Sequence, residues 1–237
     1  MKISIVIPAY NEEKRILQTL EGLIGFLKQA KWDFEVLIVF DGTDSTPSVA
    51  KKFARANSLD AAGKIKLLVF KRRLGKGGAL NEGLAHAKAD MVFFMDADYS
   101  VPAKEMPKLL KALEKSDIAI ASRYMPSSKT EIPAGRLLAA KAFNMLERLL
   151  FGLPYADTQC GFKAFRKSAL EKLLPRIRTS NFVWDVDMLF QAKKLGLRVE
   201  EIPVEWHMRE GGTITYANGL KTALKMFATL LKLRASN

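Results

Sequence analysis

Short apolar runs alternate with stretches of helical periodicity over the first 122 residues of the chain. Runs rich in Val, Ile and Phe predict buried strands, and apolar positions repeating every three or four residues predict amphipathic helices. The predicted strands cover residues 3–7, 34–40, 65–70, 91–95 and 117–121. The predicted helices cover residues 11–29, 79–88 and 103–115, and another begins at Thr46-Pro47. This alternation predicts an α/β fold with a mainly parallel central sheet and helices on both faces.

The remaining residues follow a less regular pattern. A polar loop over residues 125–133 precedes a strongly apolar helix over 137–151, which Lys141, Glu147 and Arg148 interrupt. Residues 157–167 form a mixed segment without a clear period, followed by a helix over 183–195 and a strand over 197–204. The last predicted helix, residues 216–234, combines an apolar face with basic residues. No linker or repeat divides the chain, so residues 1–237 are predicted to form a single domain.

Composition narrows the class of protein. The chain has 237 residues, is 49% hydrophobic and contains no apolar stretch near the ~18 residues that a membrane-spanning helix needs. Cys160 is the only cysteine, which excludes an internal disulfide and a cysteine-based zinc site and fits a cytoplasmic protein. The N-terminus begins directly with a strand-like run, so no signal peptide is expected.

The charge is strongly basic. Thirty-eight Lys and Arg against 25 Asp and Glu give a net charge of +13, and residues 123–178 alone carry 11 basic against 4 acidic side chains. Such a segment attracts nucleic acid, anionic lipid or phosphorylated substrates, although a solvated Lys-rich surface gives the same count. No nucleic-acid-binding module occurs, so no nucleic acid partner is expected.

Polar groups follow the predicted strands, where ligands bind in parallel sheets. Asp96 and Asp98 follow a buried strand, and this acidic pair can hold Mg²⁺ or Mn²⁺ or form a surface turn. Gly75-Lys76-Gly77-Gly78 precedes a helix and can form an anion site or a flexible turn. Asp41 can accept a hydrogen bond from a base N–H, of uracil or of guanine, or can form an Asx-turn.

The nucleophile and base motifs of common hydrolases are missing from the sequence. His86 and His207 lie far apart without a metal-binding spacing, no serine lies in G-x-S-x-G, and Cys160 fits a small buried side chain. Chemistry that shuttles a proton through histidine is therefore not expected.

Four motifs occur in one order: V-I-P-A-Y-N-E from Val6, D-G-T from Asp41, G-K-G-G-A-L-N-E-G from Gly75 and F-M-D-A-D from Phe94. Together they resemble the family 2 inverting glycosyltransferases, which have the GT-A fold. In the second half, S-R-Y from Ser122, D-T-Q-C-G-F-K from Asp157, W-D-V-D from Trp184 and E-I-P-V-E-W from Glu201 resemble the dolichyl-phosphate glucose and mannose synthases. The D-T-Q-C-G-F-K run is closer to the glucosyltransferase branch.

The resemblance implies a nucleotide-sugar donor, UDP-glucose or GDP-mannose, and a polyprenyl (dolichyl) phosphate acceptor at the cytoplasmic face of a membrane. Residues 1–122 would bind the donor, and residues 123–237 would face the acceptor and an anionic membrane surface. Matching motifs assign the nucleoside to Pro8, Tyr10, Glu12 and Asp41, further donor contact to Lys76, the metal and diphosphate to Asp96 and Asp98, and the acceptor phosphate to Arg123, Arg136 and Arg209.

The implied reaction is direct displacement at the anomeric carbon with inversion. A phosphate monoester is already ionised near neutral pH, so it needs orientation by arginine rather than deprotonation. Asp98, Arg123 and Asp185 are the expected catalytic residues, with Asp185 or Asp187 acting as a base, orienting arginine, or simply favouring a helix dipole. Two alternatives remain: transfer to a sugar or protein hydroxyl with Asp185 or Asp187 as base, and a non-catalytic, membrane-associated nucleotide-sugar-binding protein.

Overall fold

The computed structural model describes residues 2–209 and 216–235. The strands are β1 (Lys2–Ala9), β2 (Asp33–Phe40), β3 (Ile65–Val69), β4 (Met91–Met95), β5 (Ile118–Ser122), β6 (Lys129–Thr130), β7 (Phe162–Arg166), β8 (Val199–Pro203) and β9 (Glu205–Trp206). The helices are α1 (Ile16–Gln29), α2 (Thr46–Ala56), α3 (Gly75–His86), α4 (Met106–Ala112), α5 (Ala134–Phe151), α6 (Lys167–Leu173), α7 (Trp184–Lys194) and α8 (Tyr216–Ala235).

Within the described residues, seven strands form one sheet in the order β3-β2-β1-β4-β7-β5-β8. Strand β1 pairs in parallel with both β2 and β4, β3 pairs in parallel with β2, and β8 pairs in parallel with β5. Strands β6 and β9 form a separate small parallel pair. The predicted mainly parallel sheet is confirmed, and its strands are buried on both faces, which explains their continuous apolar runs.

One strand differs from the prediction. The segment 157–167, expected to be mixed, contains β7, which runs antiparallel between β4 and β5. Its side chains alternate across the sheet, with Phe162 and Ala164 in one apolar cluster and Phe165 in the other. Lys163 interrupts the apolar pattern although it is fully buried. Because Lys163 breaks the apolar pattern, hydrophobic periodicity did not predict strand β7.

The helices cover both faces of the sheet, as predicted. One apolar cluster joins the sheet to α1, α2 and α4, and a second joins the other face to α3, α6, α7 and α8. Most predicted boundaries are off by a few residues, and the predicted helix over 103–115 contains a 3-10 turn at Ala103–Glu105 followed by the shorter α4. Element boundaries are the least specified feature of a sequence pattern.

Helix α1 begins at Ile16, five residues later than expected. Asn11 has a positive φ of 56°, and its side-chain oxygen accepts a hydrogen bond from the Thr43 backbone N–H at 2.8 Å. The Glu12 carbonyl then accepts from the backbone N–H groups of Arg15 and Ile16. This turn keeps the residues after β1 at the edge of the sheet instead of drawing them into the helix.

Helices α5 and α8 pack against each other at one end of the molecule. Each exposes large apolar side chains: Leu138, Met145 and Leu149 on α5, and Leu224, Phe227 and Leu231 on α8. Exposed basic residues lie beside them on both helices, among them Lys141, Arg148, Lys225 and Lys232. In the described part of the chain, no helix is both long enough and apolar enough to cross a membrane.

Candidate active site

The carboxyl ends of four strands open into one cavity of about 380 Å³. Because β2, β1, β4 and β5 run in the same direction, the residues that follow them meet at one edge of the sheet. Nine of the predicted site residues line this cavity: Pro8, Tyr10, Glu12, Asp41, Lys76, Asp96, Asp98, Arg123 and Asp185. Seven residues at or just after strand ends therefore lie together, joined by Lys76 and Asp185 from helices α3 and α7.

Asp96 and Asp98 follow β4 directly and both face the cavity. Burial raises the pKa of Asp96, and the Lys76 ammonium, 3.1 Å from Asp96 Oδ1, opposes that rise. A Cβ atom on Gly161 would come within 1.8 Å of Asp96 Oδ2, so only glycine leaves room for this carboxylate. Asp98 Oδ1 accepts a hydrogen bond from the Ser100 backbone N–H at 3.0 Å, in a turn where Tyr99 has a φ of 56°.

The acidic pair fits a hard divalent cation. Carboxylate oxygens suit Mg²⁺ and Mn²⁺, which take one or two protein ligands and complete their shell with water and phosphate oxygens. Across residues 2–209 and 216–235, no three His, Cys, Asp or Glu side chains are placed to hold a metal together. A cation held by Asp96 and Asp98 would complete its coordination with other oxygens, such as those of water or of a phosphorylated ligand.

The glycine cluster departs from the expected anion-binding loop. Gly75 begins helix α3, four residues before the predicted start, and the N–H groups of Leu74 and Gly75 donate to Asp41 Oδ2 at 2.8 and 2.9 Å. The Gly78 N–H donates to the Ser180 carbonyl at 3.1 Å. These three backbone donors are engaged within the chain and are therefore not free to bind an anion.

The glycines instead allow close packing. A Cβ atom on Gly77 would come within 2.7 Å of Trp184 Cβ, and one on Gly83 within 2.3 Å of Val6 Cγ1. Helix α3 can therefore lie directly against the sheet and α7. That position brings Lys76, on the first turn of α3, into the cavity.

Lys76 belongs to a row of alternating charges. Its ammonium lies 3.1 Å from Asp96 Oδ1 and 3.8 Å from Asp185 Oδ2, while Lys163 Nζ lies 2.5 Å from Asp185 Oδ1. Lys163 also donates to the Cys160 carbonyl at 2.7 Å. The carboxylates Asp96 and Asp185 raise the pKa of Lys76 against the opposing effect of burial. Each Asp185 oxygen thus faces a cation, which favours an orienting role over that of a base.

Asp187, the other proposed base, does not line the cavity. Its carboxylate is fully buried and accepts hydrogen bonds from the backbone N–H groups of Arg178 and Thr179 at 2.7 and 3.0 Å. The Gln191 side chain donates to its other oxygen at 3.2 Å. These contacts agree with the interpretation of Asp187 as an acidic residue at the N-terminus of a helix rather than as a base.

Tyr10, Asp41 and Arg73 form a second cluster at the cavity wall. The Arg73 guanidinium carbon lies 3.5 Å from the centre of the Tyr10 ring, and its Nη1 lies 2.5 Å from each Asp41 oxygen. Asp41 is thus held by Arg73 and two backbone donors, not by its own Asx-turn. Sequence reasoning missed Arg73, although the basic run Lys71-Arg72-Arg73 just before the glycines was the available signal.

Glu12 and Arg15 pair through two hydrogen bonds of 2.7 Å beside the acidic pair. The pKa of Glu12 is raised to about 7. Burial raises it most, the charge of Arg15 lowers it, and the charges of Asp98 and Asp96 raise it. Several carboxyl groups therefore share one partly desolvated region of the cavity, where a bound cation would relieve their repulsion.

Arg123 is anchored by Asp157. Its Nε and Nη2 donate to the two Asp157 oxygens at 2.7 and 2.9 Å, and its backbone N–H donates to Asp157 Oδ2 at 3.0 Å. The Glu201 carboxylate holds this loop by accepting from the Ala156 and Asp157 backbone N–H groups at 2.9 and 2.7 Å. Asp157 contacts the Nε and Nη2 edge of the guanidinium group, so Nη1 does not take part in this ion pair.

Among the cavity-lining residues that the sequence alone did not single out as site residues are Asn144, Glu147, Asp157 and Gln159. Asp157 and Gln159 lie in the D-T-Q-C-G-F-K run, so their motif was visible while their function was not. Glu147 had only one signal, a charged residue that interrupts the apolar pattern of α5.

Three predicted or considered residues are not seen in the cavity lining. Arg136 belongs to α5, but its side chain lies outside the described part of the structure. Arg209 is half-buried and does not line the cavity, and its Nε has no hydrogen-bond partner among the described residues. Cys160 is fully buried, and burial raises the pKa of its thiol to about 12, which fits the expected inert side chain.

The sheet order and the cavity at the carboxyl ends of its strands agree with the predicted GT-A fold, and solved structures share this fold. Glucosyl-3-phosphoglycerate synthase from Mycobacterium tuberculosis, solved with UDP, matches this structure with a TM-score of 0.70 at 21% identity, over 99% of this chain and 80% of that chain. A second structure of that enzyme, with Mn²⁺, UDP and glucosyl-3-phosphoglycerate, matches with a TM-score of 0.69.

Residues 4–174 match the family described as Glycosyl transferase family 2, and the chain belongs to that family. Dolichyl-phosphate beta-glucosyltransferase from Saccharomyces cerevisiae is 31% identical over 91% of this chain and 70% of its own length. The human enzyme of the same name is 29% identical over 90% of this chain and 69% of its own. Glycosyltransferase AglD from Haloferax volcanii is 34% identical over 87% of this chain, which spans 33% of that protein. The resemblance drawn from the motifs is confirmed.

Proposed function

We propose that this chain transfers glucose from a nucleotide-sugar to dolichyl or another polyprenyl phosphate, with inversion at the anomeric carbon. One observation carries the proposal: the relationship to dolichyl-phosphate beta-glucosyltransferases extends over 91% of the chain and therefore reaches beyond the donor-binding strands into the region of Arg123 and Asp185. The activity named for these relatives favours glucose over mannose, and the UDP bound by the mycobacterial enzyme favours a uridine donor.

The donor's nucleoside is assigned to the wall formed by Pro8, Tyr10, Glu12 and Asp41, with Arg73 added from the geometry. The Tyr10 ring supplies an apolar face, and the Asp41–Arg73 pair supplies both an acceptor and donors for a base edge. The diphosphate is assigned to the region of Lys76, Asp96 and Asp98, because the Lys76 ammonium lies only 3.1 Å from Asp96.

Asp96 and Asp98 would hold a divalent cation, Mg²⁺ or Mn²⁺, shared with the donor's phosphates. When bound, such an ion offsets the charge that develops on the departing nucleoside diphosphate. The raised pKa of Asp96 and the space left by Gly161 support this assignment. The mycobacterial enzyme of the same fold was solved with Mn²⁺ and UDP.

The acceptor phosphate is assigned to Arg123, with Arg136 and Arg209 as further contacts. Asp157 holds one edge of the Arg123 guanidinium, so the rest of the fork can meet an anion in a fixed orientation. A phosphate monoester arrives already ionised, which removes the need for a general base. The cations on both oxygens of Asp185 agree with a reaction in which that carboxylate takes up no proton.

A membrane-facing surface would supply the lipid acceptor. Leu138 and Leu149 on α5 are 73% and 74% exposed, and Leu224 on α8 is 61% exposed, beside the basic residues of both helices. Apolar side chains flanked by lysine and arginine are typical of helices that lie in the interface of an anionic membrane. We place this surface at the cytoplasmic face, where nucleotide-sugar donors would reach the cavity.

The test is a panel of labelled nucleotide-sugars, including UDP-glucose and GDP-mannose, offered with polyprenyl phosphate in the presence of Mg²⁺ or Mn²⁺. We expect label from UDP-glucose in the organic phase and none when the unphosphorylated alcohol replaces the acceptor. Transfer only to soluble sugars or protein hydroxyls would favour the alternative acceptor. Donor binding without transfer to any acceptor would favour a non-catalytic binding protein.

A further inference from the structure

Glu147 is a buried carboxyl group in the cavity that the proposed reaction does not use. It lies on α5, is fully buried, and lines the cavity together with Asn144 one turn earlier. Its Oε2 accepts a hydrogen bond from Thr158 Oγ1 at 2.5 Å, and its Oε1 accepts one from the Gln159 side chain. Burying a carboxyl group is costly unless it is hydrogen-bonded, so the hydrogen bonds that Glu147 makes define its position tightly.

Charged and uncharged side chains line different sides of the cavity near Glu147. The cations that line it, Arg15, Arg73, Lys76 and Arg123, come from the strand ends, α3 and the turn before α1, whereas the described α5 side chains that line it are Ala140, Phe143, Asn144 and Glu147. Phosphate groups belong on the cationic side. The amide and carboxyl groups beside Glu147 suit a neutral ligand with several hydroxyl groups, which can donate and accept hydrogen bonds at once.

The protonation state of Glu147 agrees with a neutral ligand on the α5 side of the cavity. The pKa of Glu147 is raised to about 8, because burial and the nearby charges of Asp185 and Asp157 outweigh the lowering effect of the hydrogen bonds from Thr158 and Gln159. The group is therefore largely neutral at neutral pH. A neutral carboxyl group can both donate to and accept from a hydroxyl group. It also avoids the repulsion that a charged carboxylate would exert on the phosphates of a donor.

The neighbours of Glu147 place it beyond the diphosphate region. Asp185, whose charge acts on Glu147, lies 3.8 Å from the Lys76 ammonium, which in turn lies 3.1 Å from Asp96. Asp157, the other carboxylate acting on Glu147, anchors Arg123. A sugar ring that joins the diphosphate near Lys76 to the acceptor near Arg123 therefore has Glu147 and Gln159 on its α5 side.

We propose that Glu147, supported by Gln159, hydrogen-bonds a hydroxyl group of the donor's sugar and determines which sugar is accepted. This assignment rests on the proposed function, because it takes a nucleotide-sugar as the ligand of the cavity. Glu147 is a specificity-determining residue here and takes no part in breaking or forming the glycosidic bond.

The experiment titrates UDP, UDP-glucose and monodeoxy analogues of UDP-glucose, each lacking one sugar hydroxyl, into wild type and variants in the presence of Mn²⁺ and without acceptor. In wild type, one analogue should bind about 10-fold more weakly than UDP-glucose, because the missing hydroxyl group leaves a buried polar group of the protein without a hydrogen-bond partner. In Glu147→Met, UDP-glucose and that analogue should bind within about twofold of each other, while UDP binds as in wild type. Glu147→Gln should retain part of the discrimination.

Glu171→Met, on the exposed face of α6, is the matched control and should change none of these affinities. If Glu147→Met does not fold, Glu147→Ala is judged by the same criterion. Discrimination among the analogues that stays at the wild-type level, or an equal loss of affinity for UDP itself, would overturn the assignment while leaving the proposed function intact. A wild type that binds neither UDP nor UDP-glucose would instead overturn both.

Discussion

Residues 2–122 and residues 123–209 line the same cavity but hold their charges in different ways. In the first region, Asp41, Asp96 and Asp98 come directly after parallel strands. In the second, Asp157 and Lys163 lie on or just before an antiparallel strand and are buried in ion pairs. Arg73 keeps 42% of its side chain exposed, whereas Arg123 keeps 20%.

This difference shows that charged residues are positioned in two ways at one edge of the sheet. The first region uses the direction of parallel strands, which brings polar side chains from different strands to one edge of the sheet. The second depends on buried pairs between distant segments, where removing one partner leaves an uncompensated charge and costs roughly 3–5 kcal/mol. Substitution of the partly exposed Asp98 should therefore affect activity alone, whereas substitutions that break a buried pair in the second region should affect both activity and stability.

The largest expected effect comes from the acidic pair. Asp98→Ala should lower turnover by about 100-fold or more while the fold survives, because Asp98 is partly exposed and its loss leaves no buried charge. Initial rates with Mg²⁺ or Mn²⁺ and thermal melts of both proteins measure this. Asp90→Ala, at the other end of β4 and exposed, is the control. Full turnover in excess EDTA would show that no divalent cation takes part.

A crossed pair of arginine variants tests the division between donor and acceptor. Arg123→Lys should raise the acceptor KM by about 10-fold with little change in the donor KM, because a lysine cannot reproduce the fork that spans Asp157 and a phosphate. Arg73→Lys should do the reverse. Arg123→Ala should also lower the melting temperature, since it leaves Asp157 buried without its partner. If both lysine variants shift the same KM, the two regions do not divide the substrates in this way.

The exposed apolar side chains of α5 and α8 give the next prediction. Leu149→Ser combined with Leu224→Ser should reduce flotation with anionic liposomes about 10-fold at low salt, because each leucine loses apolar contact with the membrane. The matched control combines Leu17→Ser with Val69→Ser, two exposed apolar residues of the first region. Equal losses in both double variants, or no flotation of wild type, would argue for a protein contact at this surface instead.

The smallest effect concerns pH and Glu147. Its carboxyl group has a pKa of about 8 in the folded protein against 4.5 as the ordinary value, so the folded state binds more protons than the unfolded state between these pH values. Stability therefore falls as pH rises through that window. Urea unfolding at about pH 7 and about pH 9 should show wild type losing about 1 to 2 kcal/mol more than Glu147→Gln. The raised pKa of Glu12 is common to both proteins and cancels in the comparison. A pH dependence that is identical in the two proteins would mean that Glu147 ionises normally.

Much of the first region could be predicted from the pattern of residues. Strands β1, β2 and β4 carry continuous apolar runs, and the side chains after them are polar, so the edge where Asp41 and Asp96 meet follows from strand direction alone. The glycine cluster was predicted to form an anion site or a flexible turn, and in the structure it begins helix α3 and allows that helix to pack closely against the sheet and α7. Its backbone donors bind Asp41 and Ser180, which no local pattern could reveal.

The sequence by itself determined the α/β class, the family motifs and the positions of the acidic pair, because these depend on hydrophobic periodicity and short-range order. Only the tertiary structure decided that β7 lies antiparallel in the sheet, that Lys163 is buried against Asp185, and that Glu147 faces the cavity. Each of these depends on contacts between segments far apart in the chain. A charged side chain is read as exposed until the partner that compensates its burial is known, and that partner is supplied by the fold.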